Sequence, residues 1–392
     1  MIQMEKWGYN VVRAWIDHRS EITPGSGQFG IAGPTDRNQP ELYPPYMANL
    51  IDFLKRSNAH HIYVVLSCDY LPANRYYYGI INASSNDPNI TGPNEYWLET
   101  GHINARNAYL QELVQEIKSV EGGALLSTVF SWELQNELTF YVDNKPFSME
   151  SGTVTPADGI SYDMADAGSR QRCEDNGFLH AIERISESIH RLDPDAMVSA
   201  SVFTYQAVGK TGPSGLLPRN PSDPRYPARP VTFVQGSSLA YLDFHPYLFQ
   251  GSLASNLQSS EWSSIDLSKK PAVMFEFGEM ENNQPSATAV ADALKSFRDE
   301  GYRLGMTGSM LWTFDTQNQF PHFWAATDAG GIIGEKLAPV SRYVQWNFNG
   351  DGDMEGWRAE SPMNASVSGG ALQVSTPGGT PSLEVDSLNL PA

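Results

Sequence analysis

The chain has little cysteine and few positive charges. Its 392 residues include two cysteines, and 26 Lys and Arg stand against 45 Asp and Glu. Cys68 and Cys173 could form at most one disulfide bridge, and the default expectation is that both remain free thiols. The net charge of −19 argues against nucleic acid, anionic membrane surfaces and acidic polymers as partners, because repulsion would slow every encounter. A neutral partner fits this charge best.

Long apolar runs and metal-binding motifs are also missing from the sequence. No apolar run reaches the roughly 18 residues of a membrane helix. There is no His-x-His pair, no cysteine cluster and no glycine-rich phosphate loop after a strand, so neither a metal nor a cofactor is expected. The acidic run NFNGDGDME, residues 347–355, resembles a loose calcium loop, but its residue types also suit a tight turn. Calcium there remains the weaker alternative.

Two short runs carry the strongest signal. They are STVFSWELQNE at 127–137 and PAVMFEFG at 271–278. Each is apolar, rich in β-branched and aromatic residues, and ends at or near a glutamate, a pattern typical of a buried parallel strand that delivers a carboxylate to a rim. Glu137 and Glu276 are therefore the candidate catalytic pair. The less specific alternative is that both form surface salt bridges.

Strand-like and helix-like segments alternate along most of the chain, which indicates parallel strands joined by helical crossovers. Helices are predicted at 45–59, 104–120, 170–192 and 287–300. Seven strands are predicted, ending near Trp15, Ser67, Glu137, Ser201, His245, Glu276 and Trp312. An eight-stranded barrel needs one more strand. The predicted fold class is therefore α/β, a (β/α)8 TIM-type barrel lacking its first strand.

The composition changes near Trp346, where Ser, Gly, Thr and Pro become frequent and short alternating runs such as ALQVS at 371–375 appear. The predicted domains are a catalytic barrel at 1–345 and, at 346–392, the start of a β-sandwich of the carbohydrate-binding kind. About 47 residues are too few for a complete sandwich of roughly 100 residues.

Polar residues at the predicted strand ends form a recognisable series. In chain order they are Arg13, Asn136-Glu137, His245-Pro246-Tyr247, Glu276-Phe277-Gly278 and Trp312. The series resembles that of the clan A glycoside hydrolases, closest to family 5, the cellulase and mannanase type, over about residues 7–343. The resemblance implies a secreted, retaining β-glycoside hydrolase that acts on a neutral β-linked oligo- or polysaccharide.

The sequence departs from the family pattern in two places. In that clan the strand with the arginine is the second, so the first strand should precede Met1, and a truncated or misassigned start is inferred. Family 5 enzymes also commonly carry a histidine after the third strand, where this chain has Ser67-Cys68-Asp69-Tyr70.

The resemblance also implies a role for each residue of the series. Glu276 would be the nucleophile, stabilised in its ionised form by Arg13 and Tyr247, and Glu137 would be the acid/base. Asn136 would donate to the sugar hydroxyl beside the anomeric centre. His245 would orient Glu137, and Trp312 would form the floor of the central sugar site. The alternatives are an ion pair for Arg13 and core positions for His245 and Trp312.

The same residues are also consistent with two other functions. One is a non-catalytic carbohydrate-binding barrel, and the other is a transglycosylase that uses the same carboxylate pair. The sugar, the linkage and endo or exo action depend on the conformations of the loops at 70–102, 138–167 and 202–236. Residue patterns do not predict these conformations.

Overall fold

The structure is a computed structural model that describes residues 1–84, 87–315, 322–339, 357–359, 364–368, 371–375 and 383–385. The chain divides into two compact units, Met1–Leu337 and Ala338–Ala392. The predicted domain boundary at 345/346 and the acidic run 347–355 lie outside the described residues.

Helices surround the strands of the first unit. They are α1 Ile2–Lys6, α2 Pro44–Ala59, α3 Arg75–Asn82, α4 Glu95–Leu98, α5 Thr100–Ser119, α6 Ala167–His190, α7 Pro230–Gly236, α8 Leu253–Ser259, α9 Ala287–Arg303 and α10 Ile332–Leu337. All four helices predicted from the sequence are present as α2, α5, α6 and α9.

The strands of the first unit are β1 Val11–Trp15, β2 Tyr63–Ser67, β3 Val129–Glu133, β4 Thr139–Tyr141, β5 Thr153–Val154, β6 Tyr162–Asp163, β7 Val198–Ser199, β8 Ser201–Phe203, β9 Arg225–Pro227, β10 Leu242–His245, β11 Ala272–Phe277 and β12 Met306–Leu311. Two four-stranded sheets have the orders β1-β2-β3-β7 and β12-β11-β10-β8, and every pair within them is parallel. Since only Ala200 separates β7 from β8, these are two halves of one strand shared by both sheets. The seven predicted strands are therefore all present.

The pattern of apolar residues explains how the helices cover the sheets. In α2, Met47, Leu50 and Leu54 are buried, at the three- and four-residue spacing of one helix face. In α5 the buried residues include Leu110, Leu113, Val114 and Ile117. Burying one such side chain completely stabilises the fold by roughly 1.5–3 kcal/mol. This layer of helices fixes the parallel strands, so their carboxyl ends meet at one rim.

Within the described residues, β1 and β12 are the outer strands of the two sheets, and each pairs on one side only. A cavity of about 480 Å³ runs beside them, with Val11, Tyr241, Phe275 and Met310 among its lining residues. This is where an eighth strand would complete a barrel. The arrangement matches the predicted barrel without its first strand.

Other sequence expectations can be compared directly with the structure. Cys68 and Cys173 are both free and buried. No helix among the described residues is long and apolar enough to cross a membrane. In the second unit the described strands are β13 Trp357–Ala359, β14 Asn364–Ser368, β15 Ala371–Ser375 and β16 Leu383–Val385. They form the antiparallel pairs β13-β16 and β14-β15.

Candidate active site

Glu276 lies near the carboxyl end of β11, and its side chain is almost completely buried. Arg13 Nη1 donates to its Oε2 at 2.6 Å, and the Tyr247 hydroxyl donates to its Oε1. Burial and the neighbouring Glu276 carboxylate raise the pKa of Tyr247 well above its usual value, so this hydroxyl keeps its proton and remains a donor. Both oxygens of Glu276 thus accept a hydrogen bond from a neighbouring side chain.

Glu137 is presented by a turn and not by the strand itself. The prediction of one strand ending at Glu137 is wrong, because β3 ends four residues earlier at Glu133. Glu137 has a left-handed backbone with φ of 55°, which a side chain with a Cβ rarely adopts. The turn is held by two backbone donors: Asn136 N–H donates to Asp69 Oδ1 at 2.7 Å, and Glu137 N–H donates to Ser201 Oγ at 2.8 Å.

His245, the last residue of β10, is completely buried between the two carboxylates. Its Nδ1 lies 3.4 Å from Glu137 Oε1 and 3.5 Å from Glu276 Oε2. One oxygen from each glutamate and a nitrogen of His245 all lie within 4.8 Å of one another. Burial disfavours the imidazolium, but the carboxylates of Glu276 and Asp243 outweigh it and raise the pKa of His245 to about 10. A charged histidine therefore lies between the glutamates at neutral pH.

Arg13, on β1, connects several of these residues. Its Nε and Nη2 donate to the two oxygens of Glu133 at 2.6 and 2.5 Å, and Nη2 also donates to Asn136 Oδ1 at 2.8 Å. Since Nη1 reaches Glu276, the guanidinium joins the ends of β1, β3 and β11. The predicted residues Arg13, Asn136, Glu137, His245, Tyr247 and Glu276 are thus brought together at one rim.

Trp312 follows β12 directly and is partly buried. Its ring packs edge-to-face against Trp15, with 4.9 Å between the ring centroids. The Arg13 guanidinium lies over the Trp15 ring, 4.1 Å from its centroid. Trp312 therefore reaches the same group of residues through Trp15, and its role as a sugar platform remains a prediction.

Several residues of the site were not found by sequence reasoning. Glu133 and Asp243 are fully buried, and Asp243 Oδ1 lies 3.5 Å from His245 Nε2. Asp69, within the segment where family 5 enzymes commonly carry a histidine, accepts from the backbone of Asn136. One signal was available for Glu133 and Asp243, because a charged residue inside an apolar strand is almost never buried without a partner. The sequence could not show which residue that partner is.

Two overlapping sets of side chains have the geometry to hold a cation: Glu133, Asp243 and His245, and Glu137, His245 and Glu276. Both sets include His245, which would have to lose the proton that its raised pKa retains. The first set also needs Glu133, whose two oxygens already accept from Arg13. These donors fit an ion-pair network better than a metal centre.

Comparison with known proteins supports the fold. No protein-family model matches this sequence, and no curated protein matches it either. The endo-β-1,4-mannanase from Thermotoga petrophila is 16% identical, with a TM-score of 0.52, over 93% of this chain and 77% of that one. The endo-1,4-β-mannanase from Rhizomucor miehei is 15% identical, with a TM-score of 0.53, over 86% of this chain and 87% of that one.

A third structure is longer than this chain. The match to the exo-β-1,4-mannosidase Op5Man5 from Opitutaceae bacterium strain TAV5 covers 79% of this chain and 46% of that one, with 15% identity and a TM-score of 0.47. The two mannanases are only 16% and 15% identical to this chain, so their similarity to it establishes the fold alone. It confirms the predicted barrel architecture.

Proposed function

We propose that this chain, which has the fold of the clan A glycoside hydrolases closest to family 5, is a retaining β-glycoside hydrolase that acts on neutral β-linked glycans. One observation carries the proposal: oxygens of Glu137 and Glu276 lie within 4.8 Å of each other at one rim. Retaining enzymes place their carboxyl groups about 5–5.5 Å apart, whereas inverting enzymes leave about 6.5–9.5 Å for a water molecule.

The proposed first step forms a covalent intermediate. Glu276 Oε attacks the anomeric carbon while Glu137 donates its proton to the departing glycosidic oxygen, so the C–O bond breaks and a glycosyl ester forms. In the second step Glu137 takes a proton from water, the resulting hydroxide attacks the same carbon, and Glu276 leaves as a carboxylate. The two inversions give net retention.

The neighbouring donors support this division of roles. Arg13 and Tyr247 each donate to Glu276, which favours the ionised nucleophile and stabilises the carboxylate that departs in the second step. The Asn136 amide accepts from Arg13 through its oxygen, which leaves its nitrogen to donate to a sugar hydroxyl. The His245 imidazolium lies near one oxygen of each glutamate, so it does not distinguish the two roles but can hold both carboxyl groups in place.

The proposed substrate class follows from charge and from the structural neighbours. A net charge of −19 disfavours anionic polymers. The two solved structures compared above, which have TM-scores of 0.52 and 0.53, are described as mannanases. We therefore rank β-mannans first among neutral β-glycans, ahead of glucans and xylans.

Hydrolysis of a panel of mannan, glucan and xylan tests the proposal. Glu137→Gln should lower kcat by about 10²–10⁴-fold, the usual contribution of a general acid, and Glu276→Ala should cost at least as much. The matched control is Glu281→Gln, which changes an exposed glutamate five residues from Glu276 and should leave the rate unchanged. Thermal unfolding would show whether each variant is folded.

Chemical trapping gives a second readout. A fluorinated, mechanism-based glycoside should label Glu276, and NMR should detect the β-anomer as the first product. Folded Glu276→Ala and Glu137→Gln variants with wild-type rates would end the proposal. If the wild-type protein binds glycans but neither cleaves them nor is labelled by the glycoside, it is a non-catalytic carbohydrate-binding barrel. If it forms longer oligosaccharide products at high substrate concentration, it is a transglycosylase.

A further inference from the structure

Glu133 is the last residue of β3 and is completely buried. Both of its oxygens accept hydrogen bonds from one guanidinium: Oε2 from Arg13 Nε at 2.6 Å and Oε1 from Arg13 Nη2 at 2.5 Å. Donation to both oxygens favours the ionised form of the Glu133 carboxyl group over the neutral one. This is the paired geometry that gives arginine–carboxylate contacts their directionality.

The other described hydrogen bonds of Arg13 both go to the proposed reaction site. Nη1 donates to Glu276 Oε2 at 2.6 Å, and the second hydrogen of Nη2 is directed to Asn136 Oδ1 at 2.8 Å. Since a guanidinium is planar and rigid, fixing its Nε–Nη2 edge also fixes the direction of the remaining N–H groups. Glu133 itself touches neither Glu276 nor Asn136 through any described hydrogen bond.

We propose that Glu133 is a positioning residue for the reaction: its carboxylate orients the Arg13 guanidinium, which in turn holds the nucleophile Glu276 and the sugar-binding amide of Asn136. This inference rests on the proposed function. It adds a residue that acts only through Arg13, so its contribution to catalysis should disappear when Arg13 can no longer present the same planar edge.

Stability alone does not account for this ion pair. A buried ion pair is often no more stabilising than apolar side chains of similar volume, because both charges lose their hydration. A misplacement of about 1 Å at a reacting group, in contrast, can cost about 10²-fold in rate. The pair therefore matters more for the geometry of Glu276 than for the free energy of unfolding.

A double-mutant cycle tests the inference. Glu133→Gln keeps the size of the side chain but offers an amide N–H to one of the two donors of Arg13, and it should lower kcat by about 10²-fold with KM nearly unchanged. Arg13→Lys removes the planar edge. The double variant E133Q/R13K should be no slower than R13K alone, since Glu133 then has no guanidinium to orient.

The pH dependence provides a readout that a purely structural role would not change. Burial raises the pKa of Glu133 to about 7, with Arg13 opposing this and the carboxylates of Asp69 and Asp243 adding to it. Below pH 7 the wild-type carboxyl becomes neutral, like the glutamine of the variant. The ratio of wild-type to E133Q rates should therefore be largest above pH 7 and shrink as the pH falls.

Glu174→Gln is the matched control. Glu174 is a fully buried carboxyl on α6 that accepts from Gln171, and the variant should leave kcat and the pH profile unchanged. If E133Q does not fold, Glu133→Asp keeps the charge, shortens the side chain by one carbon and enters the same cycle. Equal effects of the Glu133 change with and without R13K, or a pH-independent ratio, would overturn this inference alone. An inactive wild type with unlabelled Glu276 would overturn the proposed function and this inference together.

Discussion

His245 shows how the surroundings of a single residue determine its charge. Its ring is fully buried, which by itself would keep it neutral, yet three carboxylates lie within 3.5 Å of its nitrogens. Their attraction outweighs the cost of burial and raises the pKa to about 10. His245 thus occupies the buried position that the alternative from the sequence foresaw, and the surrounding carboxylates account for its charge.

This raised pKa predicts a pH-dependent stability. The unfolded histidine titrates near 6.5, so the contribution of the His245 charge is fully present below pH 6.5 and is lost as the pH rises through about 10. In urea unfolding, His245→Gln should be less stable than the wild type by on the order of a few kcal/mol at pH 6. This difference in the free energy of unfolding should shrink progressively as the pH rises to 9.5. The control is His180→Gln: burial lowers the pKa of His180, so that variant should differ from the wild type in pH dependence only below pH 6.5. A difference for His245→Gln that stays constant from pH 7 to 9.5 would mean that folding does not raise the pKa of His245.

At the scale of elements, the turn after β3 places Glu137. Its left-handed residue is held by hydrogen bonds to a neighbouring strand: Glu137 N–H donates to Ser201 Oγ, and Leu138 N–H donates to Ser201 O at 2.8 Å. Ser201 begins β8, just after the break at Ala200. The break between β7 and β8 thus lies next to the residue that holds the proposed acid/base.

Removing this contact should affect both stability and activity. Ser201→Ala leaves the Glu137 N–H without its side-chain acceptor, which should cost about 1–3 kcal/mol in the free energy of unfolding. We expect kcat to fall by about 10²-fold as Glu137 moves. Ser199→Ala is a matched control, because Ser199 is equally buried but bonds Ser131 at 3.2 Å. Equal rates for the two serine variants would show that Ser201 does not position Glu137.

The sequence predicted most of the elements but not their exact ends. Periodic apolar residues located α2, α5, α6 and α9, because these helices bury one face. The end of β3 was misplaced, since the apolar run continues through Leu134 whereas pairing stops at Glu133. The last strand was predicted to end near Trp312 and is observed at Met306–Leu311. The end of a strand is set by its hydrogen bonds to neighbouring strands, and a local sequence pattern does not contain those neighbours.

At the scale of the whole molecule, the barrel assembles a site from residues far apart in the chain. Arg13 lies 120 residues from Glu133 and 263 from Glu276. Parallel strands make these contacts possible, because all their carboxyl ends point to one rim. The order of polar residues at the strand ends, which resembles the family pattern, could therefore predict which residues meet. It could not predict the buried partners Glu133, Asp243 and Asp69, whose roles depend on contacts between strands.

The net charge of −19 predicts how the protein should discriminate among polymers. At an ionic strength of 0.01 M the Debye length is about 30 Å, so the whole protein surface repels an anionic chain. At 1 M the Debye length is about 3 Å, and the repulsion is confined to close contacts. On carboxymethylated mannan, kcat/KM should therefore rise several-fold between 0.01 and 0.5 M NaCl. On unmodified manno-oligosaccharides of similar length it should change little, which controls for effects of salt on the enzyme itself. If salt raises both rates equally, electrostatic repulsion does not select the substrate, and the preference for neutral glycans must then come from contacts within the cleft.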